Sequence, residues 1–111
     1  MTKARIINMV YTECSADVEA DFNKWYNEVH VPMLFKHPGL KKVTRYQRYG
    51  DNKEQATYLA VYEYDTLKDL KAFPKSAEFK AAMEEADETW KDGGFEIKGT
   101  AVYQPIETWE K

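Results

Sequence analysis

The sequence is poor in the residues that most often announce a chemistry. One cysteine, Cys14, occurs in 111 residues, so no disulfide closes within the chain, as expected in a reducing cytoplasm. Nothing cationic stands beside Cys14 to lower its pKa, which argues against a nucleophilic thiol. The two histidines, His30 and His37, are separated by six residues that include a proline. That is no standard metal-ligand spacing, and no metal site is predicted. There is no Gly-rich phosphate loop and no G-x-S-x-G elbow. Lysine and arginine are interleaved with aspartate and glutamate to a net charge of −3. Without a basic run, nucleic acid finds no electrostatic footprint. No apolar stretch is long enough to cross a bilayer, and that in "MTKARIINMVY" is too short for a signal peptide. The expectation is a soluble, cytoplasmic protein with neither a nucleic-acid nor a membrane partner.

What is present is aromatic. Hydrophobic residues make up 43% and aromatics 14% of the chain, with eight tyrosines and three tryptophans. Residues 1–111 read as one globular domain large enough for one modest core. Tyr and Trp join a large apolar surface to a polar tip, which suits pockets and interfaces as well as cores.

"RIINMVY" (Arg5 to Tyr11) is β-rich and reads as the first strand. Ser15 is a candidate N-cap, and Asp17 and Glu19 suit the positive end of a helix dipole. Phe22, Trp25, Tyr26, Val29 and Met33 then form the apolar stripe of an amphipathic helix, which Pro32 is expected to stop or kink near Val31. Lys41 to Tyr49 is a second strand, "GDNKEQ" is turn chemistry, and Ala56 to Tyr64 is a third strand. Thr66 with Asp69 resembles a capping box for a short helix ending before Pro74. Ser76 caps a further helix with the stripe Phe79, Ala82, Met83, Ala86 and Trp90. "FEIKGTAVYQPI" supplies the last strand.

The order β-α-β-β-α-β is that of an α+β, ferredoxin-like fold: a four-stranded antiparallel sheet with two helices on one face. Both faces of that sheet are apolar. In the third strand Tyr58, Ala60, Tyr62 and Tyr64 oppose Leu59 and Val61; in the first, Ile7, Met9 and Tyr11 oppose Ile6 and Val10. Two helices cover one face only, and the other would be a large exposed patch. The pattern therefore predicts a homodimer closing sheet on sheet.

With this order, the stretch "FNKWYNEVHVPMLFKHPGLKKVTRY" resembles the EthD-like family of the dimeric α/β-barrel superfamily. The aromatic helix "WYNEVH", the H-x-P of His30 and Pro32, and the "PGL" turn before an Arg/Tyr strand carry the resemblance, with a weaker match at "ADETWKDGG". It implies a ferredoxin-like protomer that dimerises through its sheet. The superfamily includes cofactor-free cyclases, decarboxylases, isomerases and monooxygenases, together with haem-degrading enzymes. The last use an iron-ligating histidine on the second helix. Asn8 matches another residue of that branch, but "SAEFKAAMEEADETW" contains no histidine, so haem is not expected.

His30 is the leading candidate for acid/base work, because a histidine titrates near neutrality and its environment tunes it readily. It lies beside Tyr26 at the edge of the apolar stripe, half sheltered. The plainer alternative is a helix-end histidine that only bonds the last carbonyls. Tyr26 is a candidate donor to His30 or to a substrate oxygen. Tyr58, Tyr62 and Tyr103, with small Gly99 and Ala101 nearby, are candidate walls of a pocket; Trp25 and Phe35 are candidate apolar walls. Arg45 is a candidate carboxylate anchor. These residues predict a homodimeric enzyme, needing no cofactor, that cyclises, decarboxylates or isomerises a small hydrophobic carbonyl-bearing molecule. The alternatives are a non-catalytic binding module and a cofactor-free monooxygenase in which Trp25 matters more than His30.

Overall fold

Four strands and four short helices are built from the apolar periodicities just described. In this computed structural model residues 4–111 are described. The strands are β1 (Ile6–Cys14), β2 (Leu40–Gln47), β3 (Tyr58–Tyr64) and β4 (Phe95–Tyr103). They form one antiparallel sheet in the order β2-β3-β1-β4. The helices α1 (Glu19–Trp25), α2 (Val31–Leu34), α3 (Leu67–Ala72) and α4 (Ala77–Thr89) complete the ferredoxin-like arrangement. Among the described residues no helix is long and apolar enough to cross a membrane.

Burial alternates without a break along β3: Tyr58, Ala60, Tyr62 and Tyr64 are buried in the core. Leu59 and Val61, with Ile7, Met9 and Tyr11 of β1, point to the opposite face and are half-buried. Phe22 of α1 is fully buried and anchors the helical layer, its ring 5.0 to 6.3 Å from those of Trp25, Tyr26, Tyr58, Trp90 and Phe95. Tilted and edge-on contacts of this kind suit the ring quadrupoles.

Two local expectations need correction. Ser15 does not cap a helix with its side chain; its hydroxyl donates instead to the Gly94 carbonyl at 3.3 Å. Pro32 does not end the first helix either. A π turn spans Tyr26–His30, and α2 follows directly with Pro32 in its first turn. There the missing N–H is tolerated, and Val31 keeps helical geometry (φ −62°, ψ −45°). The other two caps form as expected: Thr66 Oγ1 accepts from the Asp69 N–H and Ser76 Oγ from the Phe79 N–H, both at 3.1 Å.

Strand β4 carries a bulge. Ile97 pairs with Thr12, but Gly99 pairs with Tyr11, leaving Lys98 as the extra residue. Side chains before and after a bulge therefore change faces. Phe95 and Ile97 look toward the helices, whereas Gly99, Ala101 and Tyr103 look toward the open face.

Candidate active site between the helices and the sheet

A cavity of about 330 Å³ lies between the π turn, α4 and the inner face of the sheet. Its walls are mainly apolar, formed by Val10, Leu34, Phe73, Phe79, Met83 and Phe95. Tyr26, His30 and Tyr62 line it too, with Asn8 and Thr12 of β1. A pocket that is mostly apolar with a few convergent polar groups is the usual form of a small-molecule site.

The π turn determines how those groups meet. Five residues along an α-helix amount to about 140° of rotation past full turns, which would put Trp25 and His30 on different faces. The wider π turn brings them together: their rings stack with centroids 4.6 Å apart and planes 22° from parallel. Tyr26 meets the imidazole edge-on at 5.0 Å. Trp25 is fixed in turn by its indole N–H, which donates to Glu85 Oε1 at 2.8 Å.

His30 is only 7% exposed. Its Nδ1 is buried without a hydrogen-bond partner. Its pKa is pushed down to about 4, chiefly by burial, with a smaller lowering from the Arg45 charge and an opposing pull from Glu85. At neutral pH the imidazole is uncharged, with one nitrogen able to donate and the other able to accept. A buried polar atom left unpaired costs about 1–3 kcal/mol.

The Tyr26 and Tyr62 hydroxyls lie 2.5 Å apart in the buried interior. Burial raises the pKa of Tyr26, and burial together with Tyr26 itself raises that of Tyr62 well above the ordinary tyrosine value. Both therefore remain phenols at neutral pH. Two phenols carry two hydroxyl hydrogens and their mutual bond uses one, so the pair keeps one to donate.

The cavity thus brings together Trp25, Tyr26, His30 and Tyr62, but not the remaining candidates. Phe35 caps the end of α2 and is 50% exposed. Tyr58 lies outside the cavity lining; its hydroxyl donates to Glu19 Oε2 at 2.5 Å and accepts from Asn23 Nδ2 at 3.0 Å. Tyr103 is on the open face beyond the bulge, 55% exposed. Arg45 points under α1, where Nη1 donates to Asn27 Oδ1 at 2.8 Å and Nη2 to Asn23 Oδ1 at 2.9 Å. Thr12, Phe79 and Met83 line the cavity without having been singled out as site residues. The stripe holding Phe79 and Met83 looks the same whether a helix faces a filled core or a hollow one, whereas Thr12 did carry a signal, a lone hydroxyl following Val10 on the inner face.

An α+β sandwich with a ligand-sized hollow between helices and sheet is the class that this geometry defines. Within it, the chain belongs to the family described as "Domain of unknown function (DUF4286)", whose profile matches residues 5–99. No curated protein matches the sequence. Solved structures share the fold. An EthD (ethyl tert-butyl ether D) family protein from Bacillus halodurans C-125 is 16% identical, with 91% of this chain and 99% of that chain covered and a TM-score of 0.67. HapK from Hahella chejuensis is 10% identical over 96% of this chain and 97% of that chain, with a TM-score of 0.71. A candidate antibiotic biosynthesis monooxygenase from Bordetella bronchiseptica is 18% identical over 93% of this chain and 99% of that chain, with a TM-score of 0.64. At these identities the likeness is one of fold. It agrees with the EthD-like, ferredoxin-like architecture expected from the sequence.

Proposed function

We propose that this protein is a small cofactor-independent enzyme that moves a proton on a hydrophobic, carbonyl-bearing substrate in a cyclisation, decarboxylation or isomerisation. One observation carries the reading: a buried, neutral histidine and a hydrogen-bonded pair of phenols line the same apolar cavity. The substrate's carbonyl oxygen accepts the spare hydrogen of the Tyr26–Tyr62 pair, and a neutral His30 takes the proton from the adjacent carbon. The developing enolate leaves its charge on an oxygen already facing a donor. Burial makes His30 a weak base, but an opposite charge within about 4–6 Å favours the imidazolium. The Trp25 face stacked on the ring adds cation–π attraction once His30 is charged. The proton then returns from His30 to the product.

A second reading, a module that binds such molecules without converting them, is favoured by the low basicity that burial gives His30. Exchange of α-protons separates the two. With 2-tetralone (an apolar bicyclic ketone) in D₂O, NMR should record faster exchange with the protein than without it. His30→Gln should lower that rate by about 10²-fold or more. Undiminished exchange in His30→Gln would remove His30 from the chemistry, and binding without any exchange would favour the binding module.

The same proposal has the protein working in the cytoplasm as a homodimer. Ile7, Met9, Tyr11, Leu59 and Val61 form an apolar surface on the face the helices leave open, and a second copy of that surface would cover it.

A further inference from the structure

We propose that Arg45 is a positioning residue for this cavity: held by Asn23 and Asn27, its guanidinium lies over the Tyr26 ring and orients and polarises the hydroxyl pair that Tyr26 forms with Tyr62. The inference deepens the function proposed above and rests on it for its catalytic meaning.

Arg45 is half-buried on β2, and among the described residues no carboxylate forms an ion pair with it. That is unusual for a sheltered guanidinium, whose fork suits carboxylates. Its bonds go instead to the two amide oxygens of Asn23 and Asn27, so its charge is oriented without being cancelled. The nearest carboxylate in the network is Glu19, reached only through Asn23 and Tyr58. The charge faces aromatic rings: the guanidinium carbon is 4.3 Å from the centroid of Tyr26, 5.5 Å from that of Tyr58 and 5.7 Å from that of Phe22.

Among these rings only Tyr26 reaches the cavity, with its hydroxyl 2.5 Å from that of Tyr62. A cation over the face of a phenol draws density from the ring and makes its O–H a stronger donor. The carbonyl of a ligand feels that gain through the pair, although Arg45 itself does not line the cavity. The chain of contacts runs from α1 and the π turn (Asn23, Asn27) through β2 (Arg45) to Tyr26 and on to β3 (Tyr62). One movement of the guanidinium therefore changes donor strength at a site it does not touch.

The other titratable and charged groups around the pair are few, and α4 contributes Asp87 to the lining of the same cavity. The π turn supplies neutral His30, and β3 supplies Tyr58 and Tyr64. Glu85 of α4 is engaged by the Trp25 indole and the Thr89 hydroxyl. Arg45 is the one cation placed over the Tyr26 ring among the described residues.

The test needs no substrate. The hydroxyl proton shared by Tyr26 and Tyr62 should give a downfield ¹H NMR resonance, assigned by its loss in Tyr62→Phe. Arg45→Met keeps the apolar stem and removes the charge. It should move this resonance upfield and shift the ¹³Cζ titration of Tyr26 to higher pH, while Arg45→Lys should lie between Met and wild type. Asn27→Ala removes one tether from an exposed position and should move the resonance in the same direction by a smaller amount. It decides the matter even if Arg45→Met fails to fold. An unchanged resonance in folded Arg45→Met, or in Asn27→Ala if Arg45→Met does not fold, would overturn the inference. Because neither readout uses 2-tetralone, failure of the exchange experiment and failure of this inference are separate results.

Discussion

At the scale of single residues, His30 has given up water without gaining a partner at Nδ1, and its displaced pKa has a consequence for stability. Above pH 6.5 the imidazole is neutral in both folded and unfolded chains and contributes no pH dependence. Between about 6.5 and about 4 the unfolded chain binds a proton that the native chain refuses. Stability therefore falls on acidification through that window, by about 3 kcal/mol when complete. Glu13, whose carboxylate is held below its usual value chiefly by the Thr57 hydrogen bond, acts in the same direction, so the variant comparison is essential. Urea unfolding at pH 7 and pH 4.5 should show a larger loss for wild type than for His30→Gln. The hydroxyl pair yields a second expectation. Tyr62→Phe strands the Tyr26 hydroxyl and should cost about 1–3 kcal/mol, whereas Tyr26→Phe/Tyr62→Phe should recover part of that cost. Chemical denaturation of the three variants measures the cycle.

At the scale of elements, what was legible in the sequence is what depends on local pattern. Ser76 and Thr66 announced their helices as hydroxyls ahead of apolar runs, although Ser15 in a similar pattern bonds Gly94 instead, and the alternation of Tyr58 to Tyr64 gave β3 its buried face. Replacing Ser76 with Ala should cost about 1 kcal/mol and raise amide exchange in the first turn of α4, where Phe79 loses its acceptor. What escaped was irregularity. A wheel drawn at 100° per residue put Tyr26 beside His30 but could not stack Trp25 on it, because the π turn changes the period for five residues. Likewise, strict alternation from Phe95 and Ile97 carries Gly99, Ala101 and Tyr103 inward, and a single bulged residue, Lys98, sends them outward. Arg45 was read as a candidate carboxylate anchor, yet its partners are the amides of Asn23 and Asn27, which no local pattern connects to β2.

At the scale of the whole molecule, the helices cover one face of a sheet whose two faces are both apolar, and the second face is the basis for the proposed dimer. Light scattering at micromolar concentration should give twice the 13.0 kDa chain mass. Val61→Lys, on the open face and away from the cavity, should reduce it to one chain without altering the environment of His30. A wild-type monomer under the same conditions would refute the dimer. The fold itself does not set the reaction; the claim that matters is that His30 is a sheltered imidazole within a ligand cavity. An NMR pH titration of the His30 ring, assigned with His30→Gln, tests it most directly. A sheltered His30 should titrate with a midpoint displaced to about 4, moving upward when an anionic ligand occupies the cavity. A midpoint near 6.5, the value of a free histidine, would mean a water-exposed side chain and would contradict the site proposed for this protein.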